Sequence, residues 1–328
     1  MPRDKDDLQP CTVLAGWQGL TAEIPENWNI GAISGDHSAG YVRYDDERMP
    51  RLEIKWSVPK GFVALDEVIS KYLKDIQKGR KKGSQEVVVD RDIKLLSKRK
   101  RKKSSLKCFA WSAEVQGHGA AWTCTDCGRT VIAQVMHENS VPPERAREEA
   151  GSVLLSIEDH ARDGWAHWSA YGLTCRVPED FQLAGQKLMA GLIELEFTRD
   201  TERVKIARWG MASVALKKLS LMDWVGAEMG KELRKNDVGR NEAQVKGHEG
   251  LHLEGGGGQG IHAIRSFWAH CTGRLYADRT VGRIWHCEPE NKIFYVDTFV
   301  DREHIDLADQ IAERIQCHPG VGDGDGQQ

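Results

Sequence analysis

Apolar and polar residues alternate along "GLTAEIPENW" (Gly19 to Trp28) and, 153 residues later, along "GLTCRVPEDF" (Gly172 to Phe181). A period of two predicts a strand with one buried face, and the proline in each (Pro25, Pro178) closes it because proline cannot donate to a ladder. Both stretches lead into a second pair of matching segments, "AGYVRYDDERMPRLEIKW" and "AGLIELEFTRDTERVKIARW". Each alternates around a charged turn, the signature of an antiparallel hairpin, and Trp56 and Trp209 close the pair, in a register that could slip by one residue. Helical spacing follows in each half: Leu65, Val68, Ile69, Tyr72, Leu73 and Ile76 in one, Leu221, Trp224, Val225, Met229 and Leu233 in the other.

Further on, "AWTCTDCGRTVIAQV" around Trp122 matches "IWHCEPENKIFYV" around Trp285, strand–turn–strand in both, with the offset now 163 residues. A second amphipathic helix closes each half, Ala150, Val153, Ile157 and His160 matching Ala308, Ile311, Ile315 and His318. Self-similarity at this length means a doubled domain, because solenoid repeats are far shorter. The order of elements lacks regular βαβ alternation, so the expected fold class is α+β: two tandem copies of a mainly antiparallel sheet flanked by helices. The copies are expected to span residues 11–160 and 165–318, to meet through Trp-rich surfaces including Trp165 and Trp168, and to be followed by a disordered Gly/Asp-rich tail at 319–328.

The "GLxxxxPxxW/F" opening, followed by a hairpin, a helix, antiparallel strands and a final helix, resembles the PsbP, Mog and DcrB group of small α/β sandwich domains, here in tandem. The resemblance implies a non-catalytic binding or assembly module. No residue-level functional motif of that group is present to carry a more specific role.

Composition narrows the class. With 328 residues, 40% hydrophobic and 11 Trp, the chain can bury two ordinary cores. A charged start, "MPRDKDDLQP", and the lack of a long apolar run predict a cytoplasmic protein without a transmembrane segment. In that compartment the 8 Cys are expected as thiols or metal ligands rather than as a disulfide framework.

"CTDCGR" carries the sharpest chemistry: Cys124 and Cys127 at a hairpin turn could offer two thiolates to Zn²⁺. A structural site needs four donors, and the scattered candidates are Cys108, His118, His137 and His160. Copy two has "CEPENK" at the same turn, with Glu290 where Cys127 stood, which favours a plain turn and no cofactor over zinc. Copy two carries His248, His252, His262, His270 and His286, with Cys271 and Cys287 next to the last two. Adjacent strand residues face opposite sides, so neither His-Cys pair can share an ion without a bulge; a His pair from neighbouring strands could, and ordinary surface and half-buried imidazoles are the favoured reading. "GGGGQG" (Gly255 to Gly260) lacks the Gly-Lys-Ser/Thr of a phosphate loop and reads as a linker between strands. His37 beside Asp36 is too slight a motif for catalysis.

Charge is the remaining signal. Net charge is −3, yet Lys71 to Lys107 holds 15 Lys or Arg against 4 Asp or Glu. Lys98, Arg99, Lys100, Arg101, Lys102 and Lys103 run consecutively, Arg80, Lys81 and Lys82 precede them, and copy two has no counterpart. Such a run suits an acidic protein or another polyanion. No aromatic residue lies between Lys74 and Leu106, which argues against base stacking and sequence-specific nucleic-acid recognition. The sequence therefore predicts a non-catalytic binding or assembly protein that contacts an acidic partner through the basic loop of copy one. The alternative is a zinc-stabilised protein built on Cys124 and Cys127, with a ligand or enzymatic pocket between the copies.

Overall fold

The computed structural model describes residues 11–80, 85–96, 105–256 and 277–318, and the chain divides into two compact units, residues 1–167 and 168–328. First come a hairpin of β1 (Thr12–Trp17) and β2 (Leu20–Pro25), then strands β3 (Asn29–Gly35), β4 (Ala39–Asp45) and β5 (Pro50–Ser57), and helix α1 (Leu65–Lys78). Four strands follow, β6 (Val88–Arg91), β7 (Leu106–Ser112), β8 (Val115–Thr123) and β9 (Thr130–Glu138), and then helix α2 (Pro143–Ser156). The order repeats with the hairpin β10 (Trp165–Ala170) and β11 (Leu173–Pro178), strands β12 (Gln182–Met189), β13 (Leu192–Arg199) and β14 (Glu202–Gly210), and helices α3 (Ala212–Ala215), α4 (Leu221–Glu228) and α5 (Gly230–Lys235). It ends with β15 (Val238–Val245), β16 (His248–Gly256), β17 (Arg279–Cys287), β18 (Lys292–Val300) and helix α6 (Leu307–Glu313).

Each copy builds one seven-stranded antiparallel sheet, in the orders β3-β4-β5-β9-β8-β7-β6 and β12-β13-β14-β18-β17-β16-β15. This is the expected α+β arrangement, formed twice. One face of the first sheet is covered by α1, whose Leu65, Ile69, Tyr72 and Leu73 meet Phe109, Trp111, Ala121 and Ile132. The other face is covered by α2, which also packs against β2. In the second sheet, Trp224, Val225, Met229 and Leu233 cover Leu251, Leu253, Ile284 and Tyr295, while α6 packs on the opposite side of β17 and β18. Burial on both faces explains why β9 and β18 read as almost continuous apolar runs instead of alternating.

Three expectations need correction. The helix over Leu221 to Leu233 is two pieces, broken at Met229 and Gly230, where glycine's conformational freedom makes continuing the helix costly. The final helices stop early: α2 ends at Ser156, with Ile157 already extended, and α6 ends at Glu313. Ile157, His160, Ile315 and His318 therefore lie on tails beyond their helices. Trp56 and Trp209 are also not equivalent. Trp122 and Trp285 pair with Val131 and Phe294 respectively, and these two residues pair in turn with Trp56 and Arg208. The register differs by one residue, which puts Trp56 and Trp209 on opposite faces of their sheets. Trp209 packs edge-on to Trp224, 5.3 Å away, on the helical side.

The tails are pinned the same way in both copies. Thr21 and Glu158 exchange two backbone hydrogen bonds of 2.9 and 3.0 Å, and Gln316 N–H donates to Thr174 C=O at 3.0 Å. Thr21 and Thr174 occupy matching positions on β2 and β11, so each tail returns alongside the small hairpin. Trp168 stacks edge-on against Phe197 at 4.9 Å within the second unit. The tail at 319–328 and the segment Gly257 to Gly260 lie outside the described residues, whereas Gly255 and Gly256 end β16. No helix among the described residues is long and apolar enough to cross a membrane.

Phe197 is fully buried against Trp168. Phe197→Ala should lower the stability of the second unit by about 3–5 kcal/mol, read as an earlier urea transition for that unit with the first unit unaffected.

Candidate metal centres

At one end of each sheet, a hairpin turn and the tail beyond the last helix converge. In copy one the turn is closed by Cys124 N–H donating to Arg129 C=O at 2.8 Å and Gly128 N–H to Cys124 C=O at 3.1 Å. Gly128 has φ +70°, a left-handed conformation that glycine adopts without strain. This geometry brings Cys124 and Cys127 next to Asp159 and His160 on the tail, with one donor atom from each lying within 4.8 Å of all the others. Cys124 Sγ is 3.6 Å from His160 Nδ1, and His160 Nδ1 is 2.9 Å from Asp159 Oδ1. The other carboxylate oxygen accepts from Trp122 Nε1 at 2.9 Å. Burial pushes the Cys124 thiol up to about 11, so a thiolate there needs a cation to stabilise it.

Copy two assembles His248, Cys287, Cys317 and His318 within the same 4.8 Å limit. His318 Nδ1 is 3.4 Å from both Cys287 Sγ and Cys317 Sγ, and Cys317 Sγ is 3.5 Å from His248 Nε2. Burial raises the Cys287 thiol, and burial with the neighbouring His318 lowers His248. Cys287 takes its imidazoles from β16 and the tail, while His286 points to the other face, as strand alternation requires.

Of the candidate ligands for Cys124 and Cys127, the structure brings in His160 and leaves out Cys108, His118 and His137. His118 sits six residues from Cys124 along β8, roughly 20 Å at strand rise. It belongs to a buried group under α2 in which His137 Nε2 lies 3.4 Å from Glu149 Oε2. Burial first, then the charges of His137 and Arg147, hold His118 down at about 4. The members of these groups that sequence reasoning missed are Asp159, Cys317 and His318; His248 is one of several histidines of copy two to which the sequence assigns no partner. The available signal was a pair, Asp159-His160 and Cys317-His318, placed just after the closing helix of each copy.

Arg129 ties the copy-one centre to the turns around it. It is 1% exposed, and it donates to the carbonyls of Gln18 at 3.0 Å, Asp159 at 3.2 Å and His37 at 2.9 Å. Its guanidinium also faces His37 Nδ1 at 2.8 Å. Asp36 turns its carboxylate to Ser38 and Ala39, closing a turn instead of orienting His37. In copy two Arg208, at the position of Trp56, donates to the carbonyl of Tyr171, the counterpart of Gln18. The same left-handed turn residue is thus held by arginines from two different strand ends.

Among the basic residues, Arg80 is ion-paired with Glu114. Lys81, Lys82 and the run Lys98 to Lys103 lie outside the described residues.

No family model and no curated protein sequence matches the chain. Among solved structures, the chain is similar to the apo structure of the immunity protein TplEi of T6SS from Pseudomonas aeruginosa, at 13% identity and a TM-score of 0.36, over 95% of this chain and 98% of that one. At that TM-score the likeness lends neither fold nor role to this protein.

Arg129→Met leaves the buried carbonyls of Gln18 and Asp159, and the partly buried one of His37, without this donor and should cost about 3 kcal/mol in the first unit; Arg129→Lys should recover little, because one ammonium cannot span the three acceptors, and urea denaturation checks both. For His118, a folded-state value below the unfolded one means that the unfolded chain binds more protons in between. Stability is complete above about pH 6.5 and falls by on the order of 3 kcal/mol as pH drops towards 4, and His118→Gln should flatten that slope in urea melts taken at several pH values.

Proposed function

We propose that this chain is a non-catalytic binding or assembly protein that meets an acidic protein partner through the basic segment of its first half. The supporting observation is the place of that segment in the fold. In copy two, β15 and β16 are joined by Lys246 and Gly247 alone, at φ 52° and 78°, with Val245 paired directly to His248. This is the two-residue connection that suits a twisted hairpin. The corresponding strands of copy one, β6 and β7, are separated by residues 92–105, which contain Lys98 to Lys103.

The hairpin closes without that insertion in one copy, so the fold does not need it in the other. Six adjacent cations repel one another, and a polyanionic partner relieves the repulsion while releasing counterions. Without interleaved aromatics, contact is by charge alone, which fits an acidic protein surface better than base recognition.

Replacing Lys98 to Lys103 with Ser and Gln in the full chain should leave the circular-dichroism spectrum and melting unchanged. Affinity for polyglutamate at low salt should drop roughly tenfold or more, with a shallower dependence on salt. Unchanged binding and salt slope would sink the proposal.

A further inference from the structure

The structure points to a paired metal function that goes beyond the binding role and is independent of it: we propose that each half of the chain holds one Zn²⁺ in a four-donor site. The first site is Cys124, Cys127, Asp159 and His160; the second is His248, Cys287, Cys317 and His318.

Distances support the assignment. Tetrahedral zinc, with bonds of about 2.3 Å to sulfur and 2.0–2.1 Å to nitrogen, holds neighbouring donors roughly 3.3–3.8 Å apart. The sulfur–nitrogen separations in copy two are 3.4, 3.4 and 3.5 Å, and Cys124 to His160 is 3.6 Å. His318 Nδ1 faces two thiols at the same distance, and one ring nitrogen has one lone pair and accepts one S–H; the Cys287 thiol has the Cys317 carbonyl as its other acceptor, but only at 3.7 Å. In copy one the His160 Nδ1 to Asp159 Oδ1 separation of 2.9 Å is a hydrogen-bond distance that would open by a few tenths of an ångström around an ion. A cation at the centre satisfies all four donors at once.

Donor chemistry selects the ion. Thiolate with imidazole is the ligand set of zinc and other soft or borderline metals, whereas calcium and magnesium want oxygen. All four positions are filled by protein, the pattern of a structural centre with none left for water or substrate.

The duplication gives the strongest argument. Cys124, Asp159 and His160 correspond to Cys287, Cys317 and His318, at the same turn and on the same pinned tail. The fourth donor does not correspond. Where copy one has Cys127, copy two has Glu290, and its missing donor enters from the neighbouring strand as His248. Asp159 has likewise become Cys317. Two of the four donors thus differ in type, and one of those in origin, while their number and location are unchanged, as a requirement for four-fold coordination would leave them. Chance clustering of His and Cys would have no reason to keep the count.

The test is metal content of the full chain purified under a phosphine reductant without chelator. The expected result is about two zinc ions per chain, falling to about one in Cys287→Ser and in His248→Gln, and to about one in Cys124→Ser. Should a variant fail to fold, wild-type protein reconstituted with Co²⁺ gives the answer: tetrahedral d–d bands with a thiolate charge-transfer band at about two equivalents support the proposal. Folded, reduced protein that lacks both zinc and cobalt bands overturns it. So does binding that saturates at one equivalent, or a metal content that the three substitutions leave unchanged.

Discussion

The central strands of both sheets are covered on both faces, and most of the molecule's organisation follows from that constraint. Along β8 and β9, and again along β18, almost every side chain is buried regardless of the direction in which it points. Such strands have no solvent face on which to display chemistry. Among the polar groups that enter them, Gln134 is satisfied locally by Trp111 and Glu53. Reactive side chains are left to the strand ends, where turns and tails gather. Both Cys/His clusters are found there.

What sets their geometry is a pair of covalently distant segments brought into register. The hairpin turn follows from the pairing of β8 with β9 and of β17 with β18. The tail is held independently, by backbone hydrogen bonds to β2 and β11. The Cys, His and Asp side chains on each side are therefore positioned by main-chain structure, and little of their grouping depends on side-chain contacts alone. In copy one, Arg129 extends the arrangement to the turns at Gln18 and His37. Many packing residues match between the copies, with Trp56 against Arg208 an exception, while polar ones have diverged: Glu53 stands opposite Gln134 where Lys205 stands opposite Asp297.

Much of the fold was legible in the sequence because alternation and helical spacing are local signals. The matched openings became β2 and β11, and "CTDCGR" and "CEPENK" became the turns that they suggested. Misreadings came where a long-range contact overrode a local pattern. The apolar spacing through Ile157 and Ile315 is helical, but these residues sit on tails drawn out to pair with a hairpin far away in sequence. Trp56 and Trp209 look equivalent because a one-residue shift is invisible in composition, although it reverses every side chain. Cys124 and Cys127 could be read from spacing, whereas the company of Asp159 in copy one, and of His248, Cys317 and His318 in copy two, could not, since that proximity arises only from tertiary structure. Copy two has Glu290 at the place of Cys127, and its group of four is completed from the neighbouring strand by His248, a relation that inspection of one turn does not reveal.

The register difference between β5 and β14 has a further implication. The indole of Trp56 fills the side that faces α2 and the small hairpin, and Trp209 fills the side that faces α4. Arg208 stands where Trp56 would be and spends its charge on the Tyr171 carbonyl. The two halves have therefore ceased to be spare parts for one another: a chimera that transplanted either strand would leave a hollow under one layer and crowd the opposite one. Since their common origin, each half has become committed to its own partners within its own core, and recombination between them would yield misfits instead of a working hybrid.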